Sequence, residues 1–403
     1  MHILYLIGLY PAINHSYLLA EIKYLRRLGW QIETASISNP DRPHDQLSAE
    51  EQGEASRTWF VKATPVATIL KWVLQVLFTR PGGFLRSLFT AWRMGAGSLK
   101  RRVHHLIYWV EALMVGQWMQ DKGLTHVHSS FTSTVACLAS RCFPITISIG
   151  VYGYGELYDP KGSNLRDKIQ AASFLRSISQ HGVNELMLSS SRGNWAKFDH
   201  VPLGIEIADY APRPFRDNPS VCLITVGRLS PEKGQFLLLR AMAKLAAPAR
   251  LVIVGDGPDR AELEAEVKRL RLTGTVSFEG RVTNERLLAL YAEADVFVLT
   301  SLSEGIPMVL MEAMAMTIPC VAPRITGIPE LIEEGKNGWL YTPADVVSLV
   351  EMLRRVIADP AARRHMGEQA REKVKYAYDM EKNTARLSAV LLRRLTSDLP
   401  IPQ

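Results

Sequence analysis

One carboxylate interrupts an apolar helix pattern in the second half of the chain. Every residue from Pro307 to Met316 except Glu312 is apolar, and Pro307 suits a first turn, so we predict a helix buried on nearly all sides. An ionised carboxylate without partners is costly to bury. Glu312 must therefore meet a fixed donor inside the protein or line a cleft where a ligand supplies hydroxyl groups. Glu304 precedes the helix, and the two carboxylates flank first-turn N–H groups suited to a diphosphate or to sugar hydroxyls.

Two cations follow a strand pattern earlier in the same half. Residues 226–234 read VGRLSPEKG, in which a strand ends at Val226, Gly227 turns, and Arg228 and Lys233 follow. Arginine binds phosphate oxygens bidentately, lysine adds a point charge, and a helix N-terminus donates backbone N–H groups. The segment predicts a phosphate site beside a sheet crevice, and a pair of surface cations is the alternative.

The elements that must position these residues follow a βαβ pattern. Residues 2–7 read as a strand, 17–28 as an amphipathic helix closed by Gly29, and 31–37 as a second strand, which predicts a parallel sheet. The alternation restarts with predicted strands at 221–226, 251–254, 296–299 and 318–322, and predicted helices at 235–245, 260–270 and 285–291. Two doubly wound α/β domains result, and the proline-rich residues 201–219 form the natural linker.

Length and composition agree with two cores of ordinary domain size. The chain has 403 residues, 47% of them hydrophobic, and 47 basic against 40 acidic side chains give a formal charge of +7, compatible with an anionic ligand or surface. We expect neither a signal peptide nor a membrane span. Four cysteines without a CxxC pair or metal-ligand spacing favour reduced, buried thiols in a cytoplasmic protein. They are Cys137, Cys142, Cys222 and Cys320.

A basic segment breaks the alternation in the first half of the chain. Residues 59–118 are mostly helical in pattern, interrupted only at Pro81-Gly82-Gly83, and residues 55–110 contain nine basic side chains and no acid. Lysine and arginine meet anionic headgroups and tryptophan settles at a membrane interface, so peripheral membrane contact is one interpretation. The other is a solvated helical layer with its tryptophans in the core. The tryptophans concerned are Trp59, Trp72, Trp92 and Trp109.

The order of several motifs resembles a known enzyme family. GRLSPEKG, VGDGPDR, FEGRV, SEGIPMVLME, TGIPELI and NGWL follow one another as in the C-terminal domain of family-4 retaining glycosyltransferases, also called glycosyltransferase group 1. Two glutamates spaced like Glu304 and Glu312 are that family's signature. The first half, including YPAINHSYLLAEIKYLRRLGWQIETASI and THVHSSFTSTVACLAS, is similar to the exopolysaccharide, or colanic-acid-type, branch.

The resemblance implies the α/β GT-B fold, with two Rossmann-like doubly wound domains facing a cleft. It implies an acceptor-binding domain at 1–205 with a basic helical layer at about 59–118, a nucleotide-sugar-binding domain at 206–376, and a helix at 377–403 returning to the first domain. In such enzymes Arg228 and Lys233 bind the donor diphosphate, Glu304 contacts the transferred sugar, and Glu312 holds the nucleotide ribose. The residues implied at the donor are Gly227, Arg228, Lys233, Gly255, Arg281, Val282, Glu304, Gly305, Ile306, Pro307, Met308, Val309 and Glu312.

A histidine pair is the corresponding feature of the first half. His126 and His128 alternate along a strand and so share one face. A lone histidine is usually a core or capping residue. The resemblance, in which a histidine of such a pair lies near the donor sugar, instead implies His128 in a role of holding the sugar and steadying charge. The catalytic group implied is His128, Glu304, Arg228 and Lys233, and the acceptor contacts implied are Asn14, His15, Ser16 and Tyr152. The loop at 13–17 and the Tyr152-Gly153 pair depart from the sequences usual in relatives.

The implied activity is a hexosyltransferase-type glycosyltransferase of class EC 2.4. It would move a sugar, with retention, from a nucleotide diphosphate sugar, UDP-sugar favoured, to a glycan or lipid-linked acceptor in bacterial polysaccharide or glycoconjugate synthesis. The sequence has no Asp-x-Asp motif, so no metal or other cofactor is expected and cations take that role. We expect no nucleic-acid partner and a cytoplasmic protein, at the inner face of the cell membrane if the basic segment binds lipid.

Two other classes of function share these features. A GT-B sugar phosphorylase, nucleotide-sugar hydrolase or epimerase would use the same crevice with another acceptor. A catalytically silent scaffold would bind a nucleotide sugar or a partner chain without turnover. A dinucleotide-dependent oxidoreductase is disfavoured because a G-x-G-x-x-G fingerprint is absent.

Overall fold

Alternating strands and helices build two separate parallel sheets. The computed structural model describes residues 1–216 and 220–396, apart from the side chains of Asn14 and Tyr154. The first unit comprises Met1–Ile178, Gly182–Val201 and the described residues from Thr384 onward, and the second comprises Ser179–His181 and Pro202–Asn383. Of the linker predicted at 201–219, residues 217–219 lie outside the described part.

The first unit is organised around a seven-stranded sheet. Its strands are β1 (His2–Leu9), β2 (Gln31–Ser38), β3 (Thr58–Phe60), β4 (His126–Ser130), β5 (Thr146–Val151), β6 (Phe174–Ser177) and β7 (Phe198–His200). They lie in the order β3-β2-β1-β4-β5-β6-β7, and every neighbouring pair is parallel. Leu6 of β1 is in register with Ser129 of β4. The order reverses direction between β1 and β4, which is the topological switch point of this sheet.

Helices pack on this sheet and enclose its core. They are α1 (Ser16–Arg27), α2 (Ala49–Ala55), α3 (Val66–Thr79), α4 (Pro81–Met94), α5 (Leu99–Asp121), α6 (Ser133–Cys142), α7 (Tyr154–Tyr158), α8 (Leu165–Ala171) and α9 (Gln180–Leu188). Leu4, Leu6 and Val127 of the central strands are fully buried in one apolar cluster with residues of α5 and α6. Trp30 donates from its indole Nε1 to Ser388 Oγ at 2.8 Å, which ties the C-terminal segment to the same unit.

The second unit contains a six-stranded sheet. Its strands are β8 (Val221–Val226), β9 (Ala249–Val254), β10 (Val276–Gly280), β11 (Val296–Val298), β12 (Cys320–Pro323) and β13 (Gly338–Tyr341). Their order is β10-β9-β8-β11-β12-β13, all parallel, so the switch point lies between β8 and β11. Leu223 of β8 is in register with Val296 of β11.

The helices of the second unit complete its layers. They are α10 (Gln235–Lys244), α11 (Arg260–Arg269), α12 (Asn284–Glu293), α13 (Met308–Ala315), α14 (Ile328–Leu331), α15 (Val346–Ala358) and α16 (Pro360–Ala377), followed by α17 (Met380–Thr396), which continues into the first unit. The core packs Leu223, Leu251 and Ile253 of the sheet against Leu238 of α10 and Leu353 of α15.

The predicted strands and helices all occur, with three differences at helix ends. We predicted a single interruption, at Pro81-Gly82-Gly83. The helices break one residue earlier, at Arg80, so that these residues form the first turn of α4, and they break a second time at residues 95–98. Proline tolerates the first turn because its missing N–H would be unpaired there in any case. Pro307 is the N-cap of α13 rather than a residue of its first turn, which moves the helix start by one residue.

Candidate active site

The switch point of the second sheet is built from two loops that bind each other. One loop follows β8 and the other follows β11. Thr300 Oγ1 donates to the carbonyl of Lys233 at 3.1 Å, and the N–H of Leu302 donates to the carbonyl of Glu232 at 2.8 Å. Parallel α/β sheets bind ligands outside the carboxyl ends of their strands at this position. The loops that carry the predicted cations and carboxylates therefore meet at the ligand position of the fold.

Lys233 and Glu304 are joined directly in this place. Lys233 Nζ lies 2.6 Å from Glu304 Oε1, with side chains 28% and 11% exposed. A charge-assisted hydrogen bond of this length fixes the ammonium and the carboxylate relative to each other. Arg228 is exposed and takes part in no ion pair within the described residues. The structure thus brings two predicted site residues together and leaves a second cation accessible beside them.

Glycines allow the loops at this sheet edge to approach at backbone distance. Gly234 has φ 65°, and a Cβ there would lie 2.3 Å from the carbonyl oxygen of Thr300. Gly255, which follows β9, has φ 128°, and its Cβ would lie 2.0 Å from the carbonyl oxygen of Gly227. Larger residues would both strain the backbone and collide with it. These positions require glycine for the geometry of the site.

Arg281 and Val282 lie farther along the same edge, directly after β10. The N–H of Gly255 donates to the carbonyl of Gly280 at 2.8 Å, which connects the loop after β9 to the residue preceding Arg281. Arg281 is exposed and Val282 is half-buried. The predicted donor residues on β8, β9 and β10 thus form one row of adjoining loops.

Glu312 has a fixed donor and is half-buried. Tyr291 donates from its hydroxyl to Glu312 Oε2 at 3.1 Å, and Tyr210 is a second tyrosine whose hydroxyl favours the ionised carboxylate. Glu312 is half-buried with Met308 and Val309, whereas Ile306 and Pro307 are buried and Gly305 is half-buried. Burial raises the pKa of Glu312, and the two tyrosine hydroxyls oppose that rise. The fixed donor predicted as one surrounding of this carboxylate is therefore present, and the cleft predicted as the other stays a prediction.

His128 is a buried, neutral imidazole on β4. Its Nδ1 and the Nε2 of His126 each lie 2.8 Å from Ser148 Oγ, so the two rings share one face as predicted. Burial, then the nearby charges of Arg176 and His126, lowers the pKa of His128 to about 3. Its Nε2 is buried without a hydrogen-bond partner in the described part of the chain. This geometry suits hydrogen bonding and opposes a role as a free base at neutral pH.

A buried ion pair joins strand β6 to helix α1 in the same unit and was not predicted. Arg176 and Glu21, both almost fully buried, lie 3.1 Å apart between Nη1 and Oε2, and Tyr5 donates to Glu21 Oε1 at 3.3 Å. Arg176 also donates from Nε to the carbonyl of Val201 at 2.8 Å. The two residues are far apart in sequence, so no local spacing indicates the pair. The signal available was a charged residue within each of a predicted helix and a strand.

The predicted acceptor residues lie at the carboxyl edge of the first sheet. His15 ends a 3-10 turn, Ser16 is exposed at the start of α1, and Tyr152 follows β5, while the side chain of Asn14 lies outside the described part. His15 and Tyr152 both stack on Phe131, with ring centroids 4.7 Å and 4.9 Å from it. Phe131 was not singled out in the sequence, although an aromatic residue directly after a central strand is a signal for this position.

The basic segment forms a layer of three helices whose exposed face is apolar. Trp109 is buried, Trp59 and Trp72 pack against the core, and only Trp92 of the four tryptophans considered is exposed, with Arg102 above its ring at 4.5 Å. The outer surface of the layer exposes mainly leucine, isoleucine, valine and phenylalanine side chains instead of tryptophans. The exposed apolar residues, here called the apolar helical face, are Val66, Leu70, Leu74 and Phe78 on α3, Leu85, Phe89 and Trp92 on α4, and Leu99, Val103, Ile107 and Tyr108 on α5.

No helix within residues 1–216 and 220–396 combines the length and hydropathy needed to cross a membrane.

The apolar helical face follows helical spacing of three and four residues, and exposed Lys71, Arg86 and Lys100 lie among its members. An amphipathic helix normally turns such a stripe toward the core. Here the stripe faces outward on α3, α4 and α5 in addition to their buried faces.

Part of the chain matches a known protein family, and most of it aligns with a relative. Residues 209–373 match the family described as glycosyl transferases group 1. Sulfoquinovosyl transferase SQD2 of Arabidopsis thaliana is 38% identical over 168 residues, so the match covers 41% of this chain and about a third, 32%, of that protein's length. WcaL of Salmonella typhimurium, assigned to colanic acid biosynthesis as a glycosyltransferase, is 24% identical over 95% of this chain and 97% of its own.

A solved structure has the same fold over the full chain. Anabaena HepE in complex with UDP superposes with a TM-score of 0.74 at 18% identity, covering 98% of this chain and 100% of that chain. At this identity the likeness concerns the fold alone. Together with the two parallel sheets, it confirms the predicted α/β GT-B fold class.

Proposed function

Since residues 209–373 belong to the glycosyl transferases group 1 family, we propose that the protein is a retaining glycosyltransferase. It transfers a hexosyl group from a UDP-sugar to a glycan or lipid-linked acceptor in bacterial polysaccharide or glycoconjugate synthesis. WcaL supports the polysaccharide assignment, because that relative is assigned to colanic acid biosynthesis. The HepE complex shows that a chain of this fold can hold UDP, and UDP is the nucleotide that we favour.

The observation that carries the proposal is the Lys233–Glu304 pair at the switch point, with Arg228 accessible beside it. Cleavage of a sugar–diphosphate bond leaves an oxocarbenium-like sugar and a negatively charged leaving group. Lys233 and Arg228 supply positive charge where that leaving group forms. A donor diphosphate competes with Glu304 for the Lys233 ammonium and leaves the carboxylate able to accept a hydroxyl of the transferred sugar.

The remaining donor contacts follow from the half-buried side of α13. Glu312 accepts a hydrogen bond from the Tyr291 hydroxyl, and vicinal ribose hydroxyls are donors of the same chemical kind. Met308 and Val309 are accessible beside it for apolar contact with the nucleotide. Retention then proceeds by attack of the acceptor hydroxyl on the face from which the diphosphate leaves, and the departing phosphate takes the acceptor proton.

Membrane contact is the second part of the proposal. The apolar helical face exposes large side chains that would gain free energy on leaving water, and residues 55–110 carry nine basic side chains and no acid. This combination matches an anionic lipid surface, where apolar residues enter the headgroup boundary and cations meet the lipid charge. The enzyme accordingly works at the inner face of the cell membrane on a lipid-linked acceptor.

A thermal-shift panel with product analysis tests the activity. UDP, GDP, ADP and their common sugars are added to the wild type, to Lys233→Gln and to Lys336→Gln, which breaks an exposed ion pair with Glu333 in the same unit. A ligand at 100 times its dissociation constant stabilises the folded state by about 2.7 kcal/mol, a shift of several degrees. We expect one nucleotide class to stabilise the wild type and Lys336→Gln but not Lys233→Gln.

Product analysis separates the related functions. Transfer of the sugar to a glycan or lipid-linked acceptor, with the anomeric configuration kept, agrees with the proposal. Sugar release only to free phosphate or water, or conversion of the donor sugar itself, identifies a phosphorylase, hydrolase or epimerase instead. Nucleotide-sugar binding without turnover on any of these acceptors identifies a scaffold.

A further inference from the structure

The two buried histidines of β4 belong to one continuous set of hydrogen bonds, here called the histidine network. Thr146 Oγ1 lies 3.3 Å from the carbonyl oxygen of Thr125 and 2.8 Å from His126 Nδ1. Ser148 Oγ lies 2.8 Å from both His126 Nε2 and His128 Nδ1. On the neighbouring strand β5, Thr146 is in register with His126, and Ser148 is in register with His128. The sheet register therefore places both hydroxyls beside the rings.

The histidine network has few protons to distribute. Burial lowers the pKa of His126 and of His128 to about 3, so at neutral pH each ring carries one N–H and one unprotonated nitrogen. Ser148 is fully buried, and within the described part of the chain the two rings are the partners of its hydroxyl, so its single proton goes to one ring. The other ring must then donate to Ser148. Both rings therefore carry their proton on the same nitrogen, either Nδ1 or Nε2.

The Thr125 end of the histidine network selects Nδ1. A carbonyl oxygen only accepts, so the Thr146 hydroxyl donates to Thr125 and accepts a hydrogen bond from His126 Nδ1–H. His126 Nε2 is then unprotonated and accepts from the Ser148 hydroxyl. Ser148 in turn accepts from His128 Nδ1–H. The last nitrogen of the network, His128 Nε2, is left without a proton.

The surroundings of His128 Nε2 favour the same tautomer. This nitrogen is buried and lacks a hydrogen-bond partner within the described residues. The Tyr5 ring lies against the imidazole with centroids 4.8 Å apart, but its hydroxyl donates to Glu21. The positive charge of Arg176 acts on the His128 ring and contributes to its low pKa. A cation attracts a nitrogen lone pair and repels an N–H group, so Arg176 also favours an unprotonated Nε2.

We propose that Thr146, His126 and Ser148 are positioning residues that hold His128 as the Nδ1–H tautomer with an unprotonated Nε2. A group that contacts this nitrogen in the working enzyme must donate a hydrogen bond. Sugar hydroxyls can donate, whereas the oxygens of an ionised diphosphate only accept. The tautomer stands on contacts within the first unit alone. Its consequence for the ligand, that His128 suits the sugar part of the donor and not the diphosphate, rests on the proposed function.

Nitrogen NMR measures the tautomer directly and without any ligand. Full-length protein with ¹⁵N-labelled histidine is examined at neutral pH, where protonated and unprotonated ring nitrogens have well-separated resonances. His128→Gln identifies the His128 signals by their loss. Ser148→Ala removes the central hydroxyl, Thr146→Val removes the terminal hydroxyl with little change in shape, and Thr146→Ser keeps it. Ser140→Ala, which removes a hydroxyl that donates to the carbonyl of Cys137 on α6, is the control.

We expect the wild type, Thr146→Ser and Ser140→Ala to show His128 protonated at Nδ1. In Ser148→Ala, His128 should lose about half or more of this form, because its Nδ1–H no longer has a fixed acceptor. Thr146→Val should also lower the Nδ1–H fraction of His128, an effect passed through His126 and Ser148 that a role in packing alone would not produce. A His128 ring protonated at Nε2 in the wild type overturns the proposal. An unchanged tautomer in Ser148→Ala, or in Thr146→Val where Ser148→Ala does not fold, overturns it as well.

Calorimetry tests the consequence for the ligand. UDP, GDP, ADP and their common sugar conjugates are titrated into the wild type, Ser148→Ala and Ser140→Ala. Loss of one oriented hydrogen bond should weaken binding of the nucleotide sugar to Ser148→Ala by about tenfold and leave binding of the free nucleotide unchanged. Equal losses for both ligands, or no loss, overturn the role of the histidine network in sugar binding. If the wild type binds neither nucleotides nor nucleotide sugars, the proposed function fails, while the NMR result still decides the tautomer.

Discussion

The Lys233 ammonium and the Glu304 carboxylate, 71 positions apart in the sequence, lie 2.6 Å from each other across the switch point of the second sheet. Each is the other's partner before any ligand is present. A diphosphate therefore binds in exchange for an existing ion pair, and the carboxylate it displaces is released beside the bound group. The pair keeps Lys233 oriented. Only a strongly anionic ligand can displace Glu304 from the Lys233 ammonium.

Replacing Glu304 should strengthen binding of a nucleoside diphosphate that carries no sugar. In Glu304→Gln the Lys233 ammonium is free and one negative charge is gone. Because a partly exposed pair is worth at most about 1 kcal/mol, UDP should bind about two- to fivefold more tightly. Isothermal titration calorimetry measures the change. Glu333→Gln, which affects ion pairs with Lys336 and Lys373, is the matched control and should leave UDP binding unchanged. Weaker UDP binding by Glu304→Gln would show that Glu304 does not compete for the cation.

The protonation of Glu312 should depend on ligand and contribute to pH-dependent stability. Burial raises its pKa in the folded state above the ordinary value near 4.5, so the folded protein binds this proton more tightly than the unfolded chain. Stability from this group is present below the unfolded pKa and is lost as pH rises through the folded pKa. Glu312→Gln, which resembles the protonated form, should equal the wild type below about pH 4.5, the unfolded pKa, and be the more stable at neutral pH. Thermal unfolding across this range tests the sign.

Nucleotide binding should release a proton from Glu312. Ribose hydroxyls donate to the ionised carboxylate, which favours ionisation in the complex. Calorimetry in two buffers with different heats of ionisation detects the released proton at a pH below the raised pKa. Glu312→Gln should lose both this release and most of the nucleotide affinity. Release of the same number of protons by the variant would assign the titration to another group.

Gly255 should tolerate no side chain. Alanine there adopts φ 128° with a Cβ 2.0 Å from the carbonyl oxygen of Gly227, so the loops after β8 and β9 must separate. Strain and overpacking together should cost about 2 to 4 kcal/mol and weaken nucleotide binding. Gly274→Ala is the control, because a Cβ at that position meets nothing within 4 Å, and its stability should change by less than about 1 kcal/mol. Chemical denaturation of both variants measures the difference.

The apolar helical face should bind anionic vesicles. Leu70→Glu combined with Leu74→Glu places two acids on α3 and should reduce flotation with phosphatidylglycerol vesicles by about tenfold or more. Leu188→Glu changes another exposed leucine of the first unit and should have no effect. Raising the salt concentration should weaken binding because lipid charge is screened. If the double variant instead abolishes a dimer seen by light scattering while the wild type ignores vesicles, the face binds a second copy of the chain.

Patterns that depend on local spacing were predicted well. The apolar run after Pro307 forms a helix. Gly234, which follows Lys233, ends the loop before α10 with φ 65°. Parallel strands follow from short apolar runs separated by helices, because such sheets are buried on both faces. The same topology brings the loops of Lys233 and Glu304 to one switch point, although the ion pair between them was not predicted.

Partners supplied from distant parts of the chain were not predictable from spacing. The carboxylate of Glu312 is held by Tyr291 and Tyr210, which lie on another helix and on the segment before β8. Nothing in either tyrosine's own neighbourhood marks it as a carboxylate donor. The left-handed backbone of Phe131 is likewise hidden, because a phenylalanine gives no local signal for that conformation. Helical spacing identified the amphipathic layer but could not tell that its second apolar face stays exposed.

The four cysteines can report the unfolding of each unit separately. Cys137 and Cys142 belong to the first unit, Cys222 and Cys320 to the second, and all four thiols are free and buried. Burial raises the pKa of the Cys137, Cys142 and Cys222 thiols to about 11, so the reactive thiolate is scarce at neutral pH. An alkylating reagent then labels each site mainly when its surroundings unfold. Mass spectrometry of the labelled sites would time the opening of each unit separately, without an introduced probe.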